Sequence, residues 1–147
     1  MNWRSPLHLN NEQTGTLSAS NGTVYVNTEG NSSATSNLYA LRTDTGAQLW
    51  SKQNLSLQLI AFGTLYCFGV ATDGGFTNDL YALHAVDGTT LWHIHIGSSG
   101  SSYGPRYISV ARMTVYVMTD TTLYALHAND RSIAWQSSIS GYMVVGP

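Results

Sequence analysis

Leu80-Tyr81-Ala82-Leu83-His84-Ala85-Val86-Asp87-Gly88-Thr89-Thr90-Leu91-Trp92 decides the fold, because the chain repeats it. Leu38-Tyr39-Ala40-Leu41-Arg42-Thr43-Asp44-Thr45-Gly46-Ala47-Gln48-Leu49-Trp50 precedes it. Leu123-Tyr124-Ala125-Leu126-His127-Ala128-Asn129-Asp130-Arg131-Ser132-Ile133-Ala134-Trp135 follows it. The closing tryptophans fall 42 and then 43 residues apart. A fixed period of that size means one supersecondary unit, repeated and stacked.

Each unit holds several strand-like runs. Gly22-Thr23-Val24-Tyr25-Val26, Gly63-Thr64-Leu65-Tyr66-Cys67 and Met113-Thr114-Val115-Tyr116-Val117 are short, β-branched and aromatic, as strands are. The Leu-Tyr-Ala-Leu run is apolar at every position, which implies a strand covered on both faces. A turn follows at Thr45-Gly46 or Asp87-Gly88, where glycine accepts a positive φ, and then a strand ending in Leu-Trp. A weaker run completes each unit at Thr16–Ala19, Leu57–Ala61 and Arg106–Val110. Four strands in a period of roughly 40 to 45 residues is the β-propeller blade pattern. No window has sustained helical periodicity. Arg106–Ser140 lacks Gly and Pro, and its Val, Ile, Thr and Tyr content reads as strands joined at Asp120-Thr121 and Asn129-Asp130.

The succession Val-Tyr-Val, Leu-Tyr-Ala-Leu, Thr-Gly, Leu-Trp resembles the pyrroloquinoline-quinone-type (PQQ-like) propeller repeat. That family includes quinoprotein alcohol dehydrogenases and outer-membrane assembly lipoprotein propellers. The resemblance covers about residues 16 to 135. Its carriers are Gly46 and Trp50, Gly88 and Trp92, and Trp135 in a third copy where Arg131 replaces the glycine. It implies that Trp50, Trp92 and Trp135 pack against a neighbouring blade. WD-type repeats share the period, but no Gly-His or Trp-Asp pair occurs.

The expected fold is therefore all-β: about three four-stranded antiparallel blades plus partial end blades, an incomplete propeller forming one domain over 1–147. The repeats fall at about 4–50, 51–92 and 93–135, with 136–147 starting a further blade. Trp3 would close a preceding blade, and Gly141–Pro147 would open a following one. Propellers close with about four to eight blades. Three and a fraction imply a piece of a longer propeller, an assembly of copies, or an open stack.

Only 10% of the residues are charged, the net charge is −2, and Lys52 is the single lysine. A nucleic-acid surface, which needs clustered Lys and Arg, is excluded on that ground. The hydroxyl-rich composition leans towards an extracytoplasmic setting, reached as part of a longer exported precursor. Met1–Pro6 leads into no apolar segment of a signal peptide, and no stretch approaches the ~18 apolar residues of a membrane span. One cysteine, Cys67, excludes an internal disulfide, and its place in a strand reads as a buried, inert thiol.

Candidate ligand residues are few. His93 and His95 lie two apart on one strand and so share a face. No Cys, Asp or Glu follows within ten residues, whereas zinc wants three or four ligands, so no metal site is expected. His84 and His127 occupy the position held by Arg42 in the first copy, a column that could meet an anion. Asp73–Asp79 and Asn31–Asn37 are loop insertions that could meet a partner. Asn21, Asn31 and Asn54 head formal glycosylation triplets, expected by chance in so Ser/Thr-rich a chain. The quinoprotein enzymes of the family need a catalytic aspartate, a metal beside the cofactor and often a vicinal cysteine pair, and none can be matched here. The resemblance thus implies the fold without the catalysis. No cofactor is expected. The leading expectation is a non-enzymatic module that binds a protein or peptide, or acts as a scaffold, and that self-associates or joins the remaining blades of a longer propeller. The alternative is a fragment of a quinoprotein-type oxidoreductase whose catalytic residues lie outside this chain.

Overall fold

Residues 12–30, 36–71, 76–96 and 107–138 are described by the computed structural model. They form twelve strands and no helix: β1 Glu12–Ser20, β2 Thr23–Gly30, β3 Asn37–Arg42, β4 Gln48–Gln53, β5 Leu55–Ala61, β6 Thr64–Val70, β7 Phe76–His84, β8 Thr90–His95, β9 Tyr107–Ala111, β10 Thr114–Met118, β11 Thr122–His127 and β12 Ile133–Ser138. Each consecutive four make one antiparallel sheet in which sequence neighbours pair. The described residues thus make three propeller blades, which do not by themselves close a ring. Trp3, Arg106, the expected strand over 141–147, and residues 31–35 and 73–75 of the two insertions lie outside the described residues.

Two kinds of hairpin build each blade. The first two strands meet at a two-residue corner with both residues at positive φ: Asn21 (49°) and Gly22 (78°), Phe62 (52°) and Gly63 (73°), Arg112 (49°) and Met113 (65°). That twist matches the strands, and Asn-Gly is its favoured sequence. The last two strands meet at a five-residue turn, closed by Gly46 N–H donating to Arg42 C=O (2.9 Å), Gly88 to His84 (2.8 Å) and Arg131 to His127 (2.9 Å). Its left-handed corner is Gly46 (φ 74°), Gly88 (75°) or Arg131 (61°). The side chain before the corner braces it: Asp87 Oδ1 accepts from Thr89 N–H (3.0 Å) and Asp130 Oδ1 from Ser132 N–H (3.0 Å). A bulge follows in every blade, where the register slips between Ala40 and Leu41, Ala82 and Leu83, and Ala125 and Leu126. It tips Leu49 and Leu91 outward and leaves the tryptophan facing the next blade.

The cores lie between blades. Tyr25, Leu38 and Ala40 of the first blade pack with Leu55, Leu65, Cys67 and Leu83 of the second. Tyr66, Phe68, Leu80, Ala82 and Trp92 of the second pack with Val115, Val117, Leu126 and Ala128 of the third. This is why the Leu-Tyr-Ala-Leu strands lack an alternating pattern. Leu38, Ala40, Leu80 and Ala82 are fully buried, whereas Leu123 and Tyr124 of the last blade are half-buried.

A buried amide also ties the first two blades. Asn27 is buried, and its Nδ2 donates to the carbonyls of Asn37 (3.0 Å) and Leu55 (3.1 Å) while its Oδ1 accepts from Leu57 N–H. The amide thereby acts as a short piece of backbone between β3 and β5. Phe68 and Met118 stand at this position in the other repeats.

Candidate interaction surface

The tryptophans and the turns of successive blades meet directly. Trp50 Nε1 donates to the carbonyl of Ala85 in the next blade (3.3 Å), which also accepts from the Tyr25 hydroxyl (3.1 Å). Its indole covers Gly88 so closely that a β-carbon there would lie 2.7 Å from Cδ2. Trp92 repeats the arrangement one blade on, donating to Ala128 C=O (2.6 Å). A tyrosine of the second strand supports each indole. Ring centroids stand 6.0 Å apart for Tyr25–Trp50, 6.1 Å for Tyr66–Trp92 and 6.2 Å for Tyr116–Trp135, with interplanar angles of 47°, 56° and 51°. Sequence reasoning assigned these tyrosines no partner, although each stands at the same offset in its repeat.

The third pair is assembled like the other two, but its indole is not covered. Trp92 is 7% exposed and Trp135 is 46% exposed. Ile133 is 49% exposed and every residue of β12 is open to solvent. The last blade therefore presents a ready aromatic pair and an N–H donor on an apolar strand face.

The other candidates are placed more plainly. Arg42, His84 and His127 end β3, β7 and β11 at exposed positions, and each answers an aspartate of its own turn. Arg42 forks onto Asp44 (2.7 and 2.9 Å), and this hydrogen bond above all lowers the Asp44 carboxyl. Asp87 and Asp130 are lowered chiefly by hydrogen bonds from Thr89 and Ser132, with a smaller contribution from His84 and His127 respectively. Cys67 is wholly buried, and burial pushes its thiol up to about 12, so it is unreactive at neutral pH.

His93 and His95 have a partner that reading forward along the chain did not find. Asp79 of β7 pairs with His95 across the hairpin, and Tyr81 pairs with His93. Asp79 Oδ1 accepts from His93 Nε2 (3.1 Å) and from His95 Nδ1 (3.0 Å). Partial burial raises the Asp79 carboxyl, but the hydrogen bonds from His95 and His93 outweigh it, and the net shift is downward. Tyr81 stacks on His93 with centroids 4.6 Å apart and planes at 17°.

A family model described as "Outer membrane protein assembly factor BamB" matches residues 37–145. No curated protein matches the chain. Among solved structures, BamB from Moraxella catarrhalis superposes with a TM-score of 0.58 at 19% identity, over 85% of this chain and 37% of that one. The quinohemoprotein alcohol dehydrogenase ADHIIG from Pseudomonas putida HK5 gives 0.62 at 19%, over 92% and 22%. Apo AztD from Citrobacter koseri gives 0.63 at 15%, over 91% and 37%. At these identities the likeness establishes the fold. The chain spans 22–37% of the length of these structures. The dehydrogenase neighbours raise the question of a quinone cofactor. The described residues do not fit one: the single cysteine is buried, and no acidic cluster lies among them.

Proposed function

The chain belongs to the PQQ-like propeller family described as outer membrane protein assembly factor BamB, and from that premise we propose that it is a non-enzymatic binding or scaffold module for a protein partner. The carrying observation is the Tyr116–Trp135 pair, set like the two engaged pairs and left exposed beside Ile133. An apolar blade face of this kind finds a partner. The partner offers what the next blade offers Trp50 and Trp92: a backbone carbonyl for the indole N–H. Blades of a longer propeller or of another copy supply it. An extracytoplasmic setting suits the low-charge, hydroxyl-rich composition.

Light scattering across a concentration series tests the reading. The chain is expected to associate, and Trp135→Ser to shift the population towards the 15.9 kDa monomer while remaining folded. A folded wild-type monomer at every concentration overturns it. Titration with the quinone and Ca²⁺ is expected to give no saturable change in absorbance, and saturable binding would favour the oxidoreductase alternative.

A further inference from the structure

We propose that the turn end of the first two blades holds a second docking site, which takes an extended protein segment bearing an aliphatic side chain with a lysine or arginine beside it. The site shares no residue with the Trp135 face. At this end each corner is tied to the turn of its own blade. Thr43 N–H donates to Gly22 C=O (3.0 Å), Ala85 to Gly63 (3.0 Å) and Ala128 to Met113 (2.9 Å). The residue before the corner glycine and the residue after the tied N–H therefore stand side by side, and each blade has its own version of the pair.

Asn21 and Asp44 hold these two positions in the first blade, and Arg112 and Asn129 in the third. All four are polar, and Asn and Asp are what such corners and turns favour. The second blade has Phe62 and Val86 instead, 78% and 84% exposed. Phe62 also sits at φ 52°, a conformation that a bulky side chain rarely adopts. Neither side chain serves the turn, and neither serves the core. Single exposed apolar residues are ordinary, but these two adjoin, at positions where the other blades are polar, and one of them is strained.

A cavity of about 80 Å³ opens beside them, between the blades. Ala85, Val86 and Tyr25 line it, and Ser20, Asn21 and Thr23 complete the wall. An apolar cavity of about 150 Å³ accepts a benzene ring, so roughly half that volume suits a branched aliphatic side chain. The hydroxyls and the amide of the wall suit the backbone groups that an extended segment brings out of water. The charge beside the cavity is negative. Hydrogen bonds from Thr89 lower the Asp87 carboxyl, with a smaller contribution from His84. Asp44 has Arg42 as its counter-ion, whereas among the described residues no arginine or lysine pairs with Asp87. That charge favours a basic neighbour on the partner and disfavours an anionic lipid surface.

Two-dimensional ¹H–¹⁵N NMR of the whole chain, titrated with the acetylated and amidated tripeptide Lys-Leu-Lys, tests the site. The amide signals of Ser20, Gly63 and Ala85 are expected to shift saturably, while those of β12 stay in place. Serine for the peptide leucine, or glutamate for both lysines, should weaken binding about fivefold or more. Phe62→Asn and Val86→Asp give the second blade the residues of the first. Each should weaken binding, and urea unfolding should find each at least as stable as the native chain. Tyr107→Ser, at the start of β9 and away from the corners, should change nothing. Unshifted signals at Ser20, Gly63 and Ala85, binding that survives both variants, or a loss of stability in either would overturn the proposal. So would sedimentation with neutral phosphatidylcholine vesicles that Phe62→Asn abolishes, since the exposed pair would then serve a lipid surface.

Discussion

Replacing Gly88 by alanine should weaken the contact between the first two blades in two separable ways. The turn holds this residue at φ 75°, where a β-carbon costs about 1 kcal/mol. The new methyl group would also stand 2.7 Å from Trp50 Cδ2 and 2.8 Å from Cε3. Carbon atoms settle about 3.5–4.0 Å apart, so the indole must retreat by about 1 Å. Retreat stretches a Trp50–Ala85 hydrogen bond that is already 3.3 Å long and worth about 1 kcal/mol. With the overpacking cost, the expected loss is about 2–4 kcal/mol in all. Urea unfolding followed by tryptophan fluorescence measures it. A cycle with Trp50→Ala separates the two causes: without the indole, Gly88→Ala should cost only the backbone share of about 1 kcal/mol. An equal cost in both backgrounds would refute the clash, and a loss below about 1 kcal/mol in the native background would refute both causes.

Other outcomes can be measured in the same way. Arg131 keeps the left-handed corner with a β-carbon on it (φ 61°), so Arg131→Gly should raise stability by about 1 kcal/mol; a lower denaturation midpoint would contradict this. Asn27→Leu removes the side-chain partners of the Leu57 N–H and the Leu55 carbonyl in a buried junction, while the Asn37 carbonyl keeps the Thr28 hydroxyl, at a cost of about 2–4 kcal/mol; a neutral result in the same urea assay would show that the blades meet without it. Asp79 has a lowered folded-state pKa, so its contribution is present above the unfolded value near 3.9 and is lost as pH falls through the folded value. Asp79→Asn should therefore flatten the acid side of the stability curve, and an unchanged slope between about pH 5 and pH 3 would count against the pairing.

The strands were legible because each repeat states its pattern again, and the blades follow from four such strands per period. The turn chemistry was legible at Gly46 and Gly88, where only glycine suits both the φ and the cover above Gly88. Arg112-Met113 was not: it takes the same corner as Asn21-Gly22 without either favoured residue, because the flanking strands impose the twist. Asp79 escaped a search along the chain because its link to His93 and His95 runs across a hairpin, and register, not sequence distance, brings them together. Counting outward from the Gly88 turn would have found it. Asn27 carried a signal that went unread, a polar residue in a column otherwise filled by Phe68 and Met118. Its partners could not be named before the start of β5 was placed beside it.

Trp50 and Trp92 reach forward, from the last strand of one blade to the turn of the next, and this gives the stack a polarity. Removing the first blade would take Trp50 away and uncover the Gly88 turn behind it. Removing the third would take from Trp92 its carbonyl acceptor and from the second blade the Val115, Val117 and Leu126 side of their shared core. The two ends are therefore not equivalent in how opening spreads. Amide exchange should be slowest in β6 and β7, which are covered from both sides, and fastest in β12, where nothing among the described residues lies over Trp135.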